Sequence, residues 1–352
     1  MSNKQIARLM REEQGKPALL IDGKPVFASY MWTGTPEPEV FRSAAAAKEF
    51  AKAGVHCYAF DMGLNEWCGP GTEIKGNDAP ATHFDFSKMK ARFERVIDAD
   101  PQARFHLRMH SEKTTADNWW LKMYPEEVEV TESDTIEINR IGSTVQPAQS
   151  YASVVWRNHA KMFLREFVHQ IDSMGLSDRV IAWQTGHGYT GEGFKWSAVG
   201  QEIGDFSKPM ELYFQSWLMI RYGSDEKALR KAWADPNATF ETAKVPTRSQ
   251  QLQTHHMTLR DPLTEQQVIN YYQALSDLNS DLVIDFNKTV KEENGDRALT
   301  GAFYGYIFEL TGNDSYWGVG KEARLSGLQR SGQLGFRKII ESPYVDFIAT
   351  PY

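Results

Sequence analysis

The chain has 352 residues, of which 41% are hydrophobic and 24% charged, as is ordinary for a soluble globular protein. Its formal net charge is -7 and no basic run is present, which disfavours nucleic acid as a partner. No apolar stretch approaches the roughly 20 residues of a membrane span. The polar N-terminus reads as helical and shows no signal peptide, so the compartment stays open between the cytoplasm and, after signal removal, the periplasm or exterior.

The two cysteines, Cys57 and Cys68, stand in neither a metal-binding nor a redox spacing. They are predicted to be reduced structural thiols, and the sequence predicts no cofactor and no metal site. It does not decide between a monomer and a homo-oligomer. Aromatic residues make up 12% of the chain, a content that suits both a large core and a site that stacks flat, polar-rimmed ligands.

The predicted elements begin with a hairpin over 19–27, turned by Asp22-Gly23, that leads into a first barrel strand over 26–32. Further strands are predicted at 55–62, 104–110, 180–185, 298–308 and 345–350. Helices are predicted between them at 38–53, 87–99, 151–174, from 209 onward, and at 264–293. The alternating run 128–138 is predicted to be a small surface hairpin.

Alternation of strands with helices predicts a parallel sheet, and at this length a (β/α)8 TIM barrel of the α/β class. Six strands do not close such a barrel. The chain is therefore expected to supply six βα units of a single barrel domain over 1–352, with strands seven and eight missing. Insertions are expected at about 111–150 and 234–262.

The strand 104–110 alternates basic with apolar residues. Period-two alternation puts Phe105, Leu107 and Met109 against the helices and His106, Arg108 and His110 in the lumen. An edge strand with a solvated basic face is the alternative interpretation. Barrel enzymes place their sites at the C-terminal ends of the strands.

Polar and aromatic side chains gather at those C-terminal ends, where a polyhydroxylated ligand would find carboxylates, a guanidinium and aromatic faces. Taken singly, each residue also fits an ordinary core or solvated position. The candidate substrate-binding residues at the strand ends are Trp32, Asp61, Arg108, His110, Tyr306 and Glu309.

A glycine-rich loop, 186–193, follows the fourth strand. Its glycines permit unusual turns and would present its only carboxylate, Glu192, to the site. No Lys-Ser/Thr pair follows, so this is not a phosphate-binding loop. Glu192 is the candidate catalytic residue and His187 a further candidate ligand contact; a solvated Glu192 beside a structural His187 is the alternative.

The segment Trp183-Gln184-Thr185 with its loop resembles the fourth-strand motif of glycoside hydrolase family 42 β-galactosidases and their (β/α)8 clan A relatives. The segment 214–223, followed by Leu229 and Ala232-Trp233, is similar to the signature F-x-x-WL-x-x-KYG … L-N-x-AWG of those enzymes. The segment 342–347 resembles the entry to their sixth strand.

The resemblance implies an exo-acting, retaining glycosidase that takes β-galactosides or related, including modified, galactose-containing oligosaccharides. It assigns the acid/base to a Glu that follows an Asn directly after strand four, a place filled here by Gly186-His187-Gly188. Glu192 lies four to five residues further on and is chosen as the loop's only carboxylate. The resemblance assigns the nucleophile to strand seven, beyond the sequence; Asp61 and Glu309 are the substitutes within it.

Two other functions remain open. One is a carbohydrate-binding barrel without catalysis, favoured by the absence of the Asn-Glu pair. The other is a metal-dependent barrel hydrolase that would use His106, His110, His187 and Asp61.

Overall fold

The computed structural model of the chain describes residues 5–11, 17–33, 43–63, 66–67, 84–111, 119–132, 138–141, 144–188, 191–193, 204–253, 259–307 and 327–350. Within these ranges, no helix has both the length and the apolar character needed to cross a membrane. Cys68 and Glu309 lie outside the described residues, whereas Cys57 is buried with a free thiol.

The described strands number eleven, in three sheets. In chain order they are β1 (Ala7–Arg11), β2 (Pro17–Ile21), β3 (Lys24–Val26), β4 (Tyr30–Trp32), β5 (Cys57–Met62), β6 (Arg104–His110), β7 (Ile138–Ile141), β8 (Thr144–Pro147), β9 (Val180–Gly186), β10 (Leu299–Phe303) and β11 (Phe347–Ala349).

The described helices lie mostly between the strands of the central sheet. They are α1 (Ser43–Lys52), α2 (Met89–Ala99), α3 (Trp119–Met123), α4 (Val154–Ser173), α5 (Lys208–Arg221), α6 (Glu226–Trp233), α7 (Arg248–Leu252), α8 (Gln266–Glu293), α9 (Gly327–Arg330) and α10 (Phe336–Ile340). Ser207 caps α5 as predicted, because its side chain accepts a hydrogen bond from the Met210 N–H.

The central sheet has six strands in the order β11-β10-β9-β6-β5-β4, and every pairing within it is parallel. The predicted parallel α/β barrel architecture is confirmed: the sheet curls into a half-barrel with helices alternating along the chain. The curvature is visible at His106 on a middle strand. Its ring lies 5.3 Å, centroid to centroid, from both Tyr30 and Phe347, which belong to the two edge strands.

The two faces of β6 are those that the sequence predicts. Phe105, Leu107 and Met109 are buried in the main core between the sheet and the helices. His106 and Arg108 line a cavity on the concave face. The interpretation of this strand as an edge strand is wrong, because β6 pairs on both sides, with β5 and β9.

The hairpin of β2 and β3 turns at Asp22-Gly23, where both residues have positive φ, 50° and 79°. The first barrel strand is shorter than predicted. Lys24–Val26 pairs antiparallel with β2, so the barrel strand begins only at Tyr30. The predicted helical N-terminus is wrong over the described residues: β1 is a strand because it pairs along its whole length with β2.

The hairpin and β1 close the N-terminal end of the half-barrel. Ile6, Ala7, Leu19 and Ile21 pack as one apolar cluster against the first residues of three central strands, including Leu299. The Ile6 N–H also donates to the carbonyl at 297, ahead of β10, at 2.7 Å. The opposite, C-terminal end of the half-barrel stays open for a site.

Two other boundaries differ from the prediction. The small hairpin lies at Ile138–Ile141 and Thr144–Pro147 rather than over 128–138, since Val128 is buried in the core and forms an isolated bridge with Gln149. The fifth barrel strand ends at Phe303, because Gly305 takes a left-handed backbone with φ of 95° that a strand does not accommodate.

Candidate active site

Asp61, the next-to-last residue of β5, is the centre of a cluster at the C-terminal mouth. The indole Nε1–H of Trp32 donates to its Oδ2 at 3.1 Å. Arg108 Nε lies 3.2 Å from Oδ1, and His110 Nε2 lies 3.7 Å from the same oxygen. Three neighbouring strands, β4, β5 and β6, therefore bring these four predicted residues together.

The charge of Asp61 is stabilised by this cluster. Burial alone raises the pKa of its carboxyl, but polar contact with His110, the positive charge of Arg108 and the hydrogen bond from Trp32 together outweigh burial and lower it. At 3.7 Å the contact with His110 is electrostatic rather than a well-formed hydrogen bond. Asp61 is thus a fixed anion at neutral pH, suited to accept hydrogen bonds from donor groups of a ligand.

Aromatic rings hold the guanidinium of Arg108. Its Cζ lies 5.1 Å from the ring centroid of Trp32 and 4.7 Å from that of Phe303, which ends β10. Cation–π contacts of this kind favour the charged group over a ring face. The three side chains line a cavity of about 380 Å³ on the concave face, and Trp32 is 61% exposed there.

The loop after β9 folds tightly over this cluster. Gly188, Gly191 and Gly193 all have positive φ, between 67° and 78°. A Cβ on Gly191 would stand 3.0 Å from Cε1 of His110, so the backbone rests on that imidazole. Glycine is required at residue 191 both for the left-handed backbone and for this close approach.

Glu192 is half-buried in this loop and pairs with a residue that follows the next strand, β10. The hydroxyl of Tyr306 donates to Glu192 Oε1 at 3.0 Å. Tyr306 is buried, and its ring centroid lies 6.1 Å from that of Phe303. Glu192 is therefore linked to Arg108 through two aromatic rings, and to Asp61 through Gly191 and His110.

Two side-chain amides hold the backbone carbonyls of Glu192 and Gly193. The side chain of Gln333 donates to the carbonyls of Glu192 at 3.2 Å and Gly193 at 3.0 Å. Its own oxygen accepts from the N–H of Gly305 at 2.6 Å. Asn279, on α8, also donates to the Gly193 carbonyl. The loop is thus fastened from behind by residues far away in the sequence.

The two other candidate histidines, His187 and His106, play different structural parts. His187 is buried beneath the loop, where its Nε2–H donates to Asn279 Oδ1 at 2.6 Å. Burial lowers its pKa to about 4. His106 lies deeper in the lumen, where burial likewise lowers its pKa to about 4. Its side chain also lines the cavity on the concave face. Both rings are neutral at neutral pH.

The predicted residues thus fall into three groups. Trp32, Asp61, Arg108 and His110 form one cluster, while Glu192 and Tyr306 form a pair beside it. His187 lies behind the loop, away from the mouth, and Glu309 lies outside the described residues. The sequence analysis missed two contributors: Phe303, which was placed within a longer strand, and Gln333, which no local pattern marks.

The metal-dependent alternative requires histidines and carboxylates to converge. In the described part of the chain, no three His, Cys, Asp or Glu side chains are arranged to hold a metal ion. His187 is committed to Asn279, and His106 is enclosed by Tyr30 and Phe347. These residues do not form the ligand set that the alternative requires.

Several solved structures share this fold. They include β-galactosidases from the psychrophilic Marinomonas ef1 (13% identity, 77% of this chain and 37% of that chain, TM-score 0.53) and from Bacillus circulans sp. alkalophilus (17%, 80% and 37%, 0.53). The catalytic domain of β-amylase from Paenibacillus polymyxa is also similar (11% identity, 92% of this chain and 77% of that chain, TM-score 0.63). At these identities the likeness concerns the fold alone, and this chain spans 37% of the length of the two β-galactosidases.

No curated protein matches the sequence significantly. The sequence profile of glycoside hydrolase family 42, described as β-galactosidase, matches residues 79–316, more than half of the chain. The matched stretch contains β6, β9 and β10, which carry or precede Arg108, Glu192 and Tyr306. The half-barrel fold and this match agree, and the chain belongs to glycoside hydrolase family 42.

Proposed function

We propose that this protein is an exo-acting, retaining glycosidase of β-galactosides or related galactose-containing oligosaccharides, with Glu192 as its acid/base. The observation that carries the proposal is the hydrogen bond from Tyr306 to Glu192 Oε1 at the mouth of the half-barrel. A buried tyrosine fixes one carboxyl oxygen, and the half-buried side chain remains near the solvent side. Such an oriented carboxyl group can deliver a proton to a leaving oxygen.

The Asp61 cluster supplies the sugar-binding part of the proposed site. Asp61 accepts hydrogen bonds, Arg108 donates them, and the exposed ring of Trp32 offers a face to a pyranose. Since Asp61 already contacts three neighbouring side chains, we assign it to binding rather than to nucleophilic attack.

A retaining mechanism needs a second carboxyl group about 5 to 5.5 Å from the acid/base. The resemblance assigns that nucleophile to a seventh strand, and the described central sheet has six. We therefore place the nucleophile outside the described residues. A 2-deoxy-2-fluoro galactoside should trap it as a covalent adduct, and mass spectrometry should locate the adduct on a peptide that lacks Asp61.

The test of Glu192 compares aryl β-galactosides with good and poor leaving groups. Glu192→Gln should lower kcat/KM for poor leaving groups by about 10²- to 10⁴-fold, because they need the proton. Dinitrophenyl galactosides should be affected much less. Glu292→Gln, at the end of α8, is the matched control. Equal hydrolysis of both substrate types by wild type and Glu192→Gln would assign the acid elsewhere.

A sugar-binding protein without catalysis is the second candidate. One observation favours it: the residue directly after β9 is the buried His187, where the family carries an Asn before its acid/base Glu. This candidate predicts that the protein binds galactosides, that Asp61→Asn weakens binding, and that neither wild type nor Glu192→Gln releases any aryl leaving group.

A further inference from the structure

The segment that follows Asp61 contains a buried ion pair that the active-site cluster does not include. Glu66 is 3% exposed and Arg92, on α2, is 4% exposed, and Arg92 Nη1 pairs with Glu66 Oε1. The other carboxyl oxygen of Glu66 accepts a hydrogen bond from the backbone N–H of Gly63 at 2.8 Å. Gly63 directly follows β5, two residues after Asp61. The Glu66 carboxylate therefore joins a helix to the end of the strand that carries Asp61.

The backbone at Gly63 rests on the end of the neighbouring strand, β6. Gly63 has a left-handed φ of 101°, and a Cβ placed on it would overlap the carbonyl oxygen of His110. Glycine is therefore needed for both the angle and the approach. His110 Nε2 in turn lies 3.7 Å from Asp61 Oδ1. A shift of Gly63 would thus reach Asp61 along the chain through Met62 and across the sheet through His110.

The main chain on the other side of Glu66 is anchored in the core. The carbonyl of Glu66 accepts from the Asp85 N–H at 2.9 Å. Trp67, the next residue, is buried and stacks on Phe163 of α4 with ring centroids 5.4 Å apart. Because these contacts hold Glu66 in place, its carboxylate is a stationary acceptor to which the Gly63 N–H must fit.

The ion pair does more than fill space between α2 and the sheet. The desolvation of two buried charges can exceed their mutual attraction, so an apolar pair of similar volume often serves a fold equally well. An apolar side chain at position 66 would, however, remove the acceptor of the buried Gly63 N–H. What Glu66 supplies beyond packing is an oxygen atom at a defined place.

We propose that Glu66 is a positioning residue for Asp61, and that Arg92 orients Glu66 and balances its charge. By holding the Gly63 N–H, Glu66 sets where β5 ends against β6, and so sets the place of the Asp61 carboxylate relative to the indole of Trp32. The consequence for ligand binding rests on the proposed function, in which Asp61 binds the sugar. The geometric claim stands apart from it.

The test reads the contact between Trp32 and Asp61. Protein labelled with 5-fluorotryptophan gives one ¹⁹F resonance per indole. Trp32→Phe assigns the Trp32 signal, and Asp61→Asn shows where that signal lies once the carboxylate is gone. Two double variants are then compared, Glu66→Gln/Arg92→Met and Glu66→Met/Arg92→Met. Both lack the ion pair and share the change on α2, but only the first keeps an oxygen for the Gly63 N–H.

A positioning role and a purely structural role predict different spectra. The Trp32 resonance should stay near its wild-type position in Glu66→Gln/Arg92→Met. It should move toward its Asp61→Asn position in Glu66→Met/Arg92→Met. A purely structural ion pair would affect both variants alike, because both have lost it.

Asp100→Asn is the matched control, because it alters a second buried carboxylate beside the same strand. The Tyr58 hydroxyl donates to Asp100 at 2.9 Å, and His56 Nδ1 lies 2.8 Å from the same oxygen, near the N-terminal end of β5. This variant should be less stable in urea, while its Trp32 resonance stays in place.

A second variant reaches the same backbone without touching the ion pair. Gly63→Ala forces a methyl group against His110 and should move the Trp32 resonance, whereas Gly54→Ala should not. Gly54 has φ of 82° and nothing within 4 Å of an added Cβ, so it carries the backbone strain without the contact.

Kinetics with an aryl β-galactoside measure the functional consequence. In Glu66→Met/Arg92→Met, KM should rise about three- to tenfold, the equivalent of one hydrogen bond in binding, while kcat changes little. In an Asp61→Asn background the same change should add nothing further, because the residue it positions is already altered.

Three spectroscopic results would each overturn the proposal. The Trp32 resonance is unmoved in Glu66→Met/Arg92→Met, or in Gly63→Ala should that double variant not fold; it moves equally in both double variants; or Asp100→Asn moves it as well. Because these results come from spectra alone, a protein that hydrolyses no galactoside would refute the proposed function and leave this inference standing.

Discussion

Gln333 accepts a hydrogen bond from the backbone N–H of Gly305 at 2.6 Å. The same side chain donates to the carbonyls of Glu192 and Gly193, so one amide joins the loop after β9 to the loop after β10. These are the loops that carry Glu192 and Tyr306. The relative placement of Glu192 and Tyr306 therefore depends on Gln333, which acts through backbone groups of both loops.

Replacing Gln333 by Met should remove all three of these hydrogen bonds while keeping a similar volume. We expect a loss of about 1–3 kcal/mol in the free energy of unfolding, because backbone groups are left unsatisfied. We also expect kcat to fall more than KM rises, since the loop holding Glu192 loses its support. Denaturant unfolding and kinetics with an aryl galactoside measure the two effects. Gln102→Met, at an exposed turn, is the control; unchanged kcat in Gln333→Met would contradict the positioning role.

Tyr306→Phe should lower kcat about tenfold for substrates with poor leaving groups, because Glu192 loses the donor that orients its carboxyl group. If the tyrosine acts only through Glu192, adding Tyr306→Phe to Glu192→Gln should cause no further loss. Kinetics of the two single variants and the double variant measure this coupling. Additive losses would show that Tyr306 has a separate role.

Asp61→Asn should destabilise the protein by about 1–3 kcal/mol at pH 7, because Arg108 loses its anionic partner. The folded-state pKa of Asp61 is lowered, so the stabilisation exists above the unfolded value of about 3.9 and is lost as pH falls through the folded value. The difference between wild type and Asp61→Asn should therefore vanish in strong acid. A double-mutant cycle with Arg108→Met should show coupling, and independent effects would refute the ion pair.

Acid should weaken the fold through His187. Its pKa is about 4 in the folded protein against about 6.5 unfolded, so between these values only the unfolded chain takes the proton. Stability is unaffected above about pH 6.5 and falls as pH drops toward 4, by an amount on the order of 3 kcal/mol. Because His106 has a similarly lowered pKa and contributes in the same direction, His187→Gln should remove only the share of this dependence that belongs to His187, measured by urea unfolding across the range. His169→Gln, at a more exposed histidine, should leave most of it in place.

Gly191 and Gly23 have similar backbone angles, so replacing each by Ala separates the cost of backbone strain from the cost of a steric contact. Gly191 and Gly23 have φ of 73° and 79°, but a Cβ meets His110 at 3.0 Å only at Gly191. Gly23→Ala should cost about 1 kcal/mol from the left-handed backbone alone. Gly191→Ala should cost more and also lower hydrolysis, because the loop of Glu192 must lift off the imidazole. Thermal unfolding and activity assays compare them, and equal losses would show that the contact does not matter.

Much of the fold could be predicted from local patterns. Alternating strands and helices indicate the parallel sheet, and the period-two pattern of β6 identifies the face of Arg108. Barrel polarity then brings Trp32, Asp61 and Arg108 to one end, because parallel strands all finish there. Each of these inferences needs only a few neighbouring residues and a geometric rule.

The features that the sequence did not predict depend on contacts between segments that are distant in sequence. Gln333 reaches Gly193 across 140 positions of sequence, and Asn279 does so from α8. Neither residue type nor spacing marks them, since an isolated amide fits a helix face or a loop equally well. The start of β4 was misplaced for a related reason: Val26 fits either strand, and only its pairing with Leu19 decides.

The packing of β1 and the hairpin of β2 and β3 against the N-terminal end of the half-barrel has a consequence for folding during synthesis. Ile6 and Ala7 leave the ribosome long before β10, yet their N–H groups donate to the carbonyl of Arg297, and their apolar cluster includes Leu299. Until β10 has been made, the surface of the central sheet that covers β1 and the hairpin is incomplete, and their apolar side is exposed. β1 and this hairpin therefore dock only after a much later part of the chain has been made, and until then their apolar side is prone to aggregation.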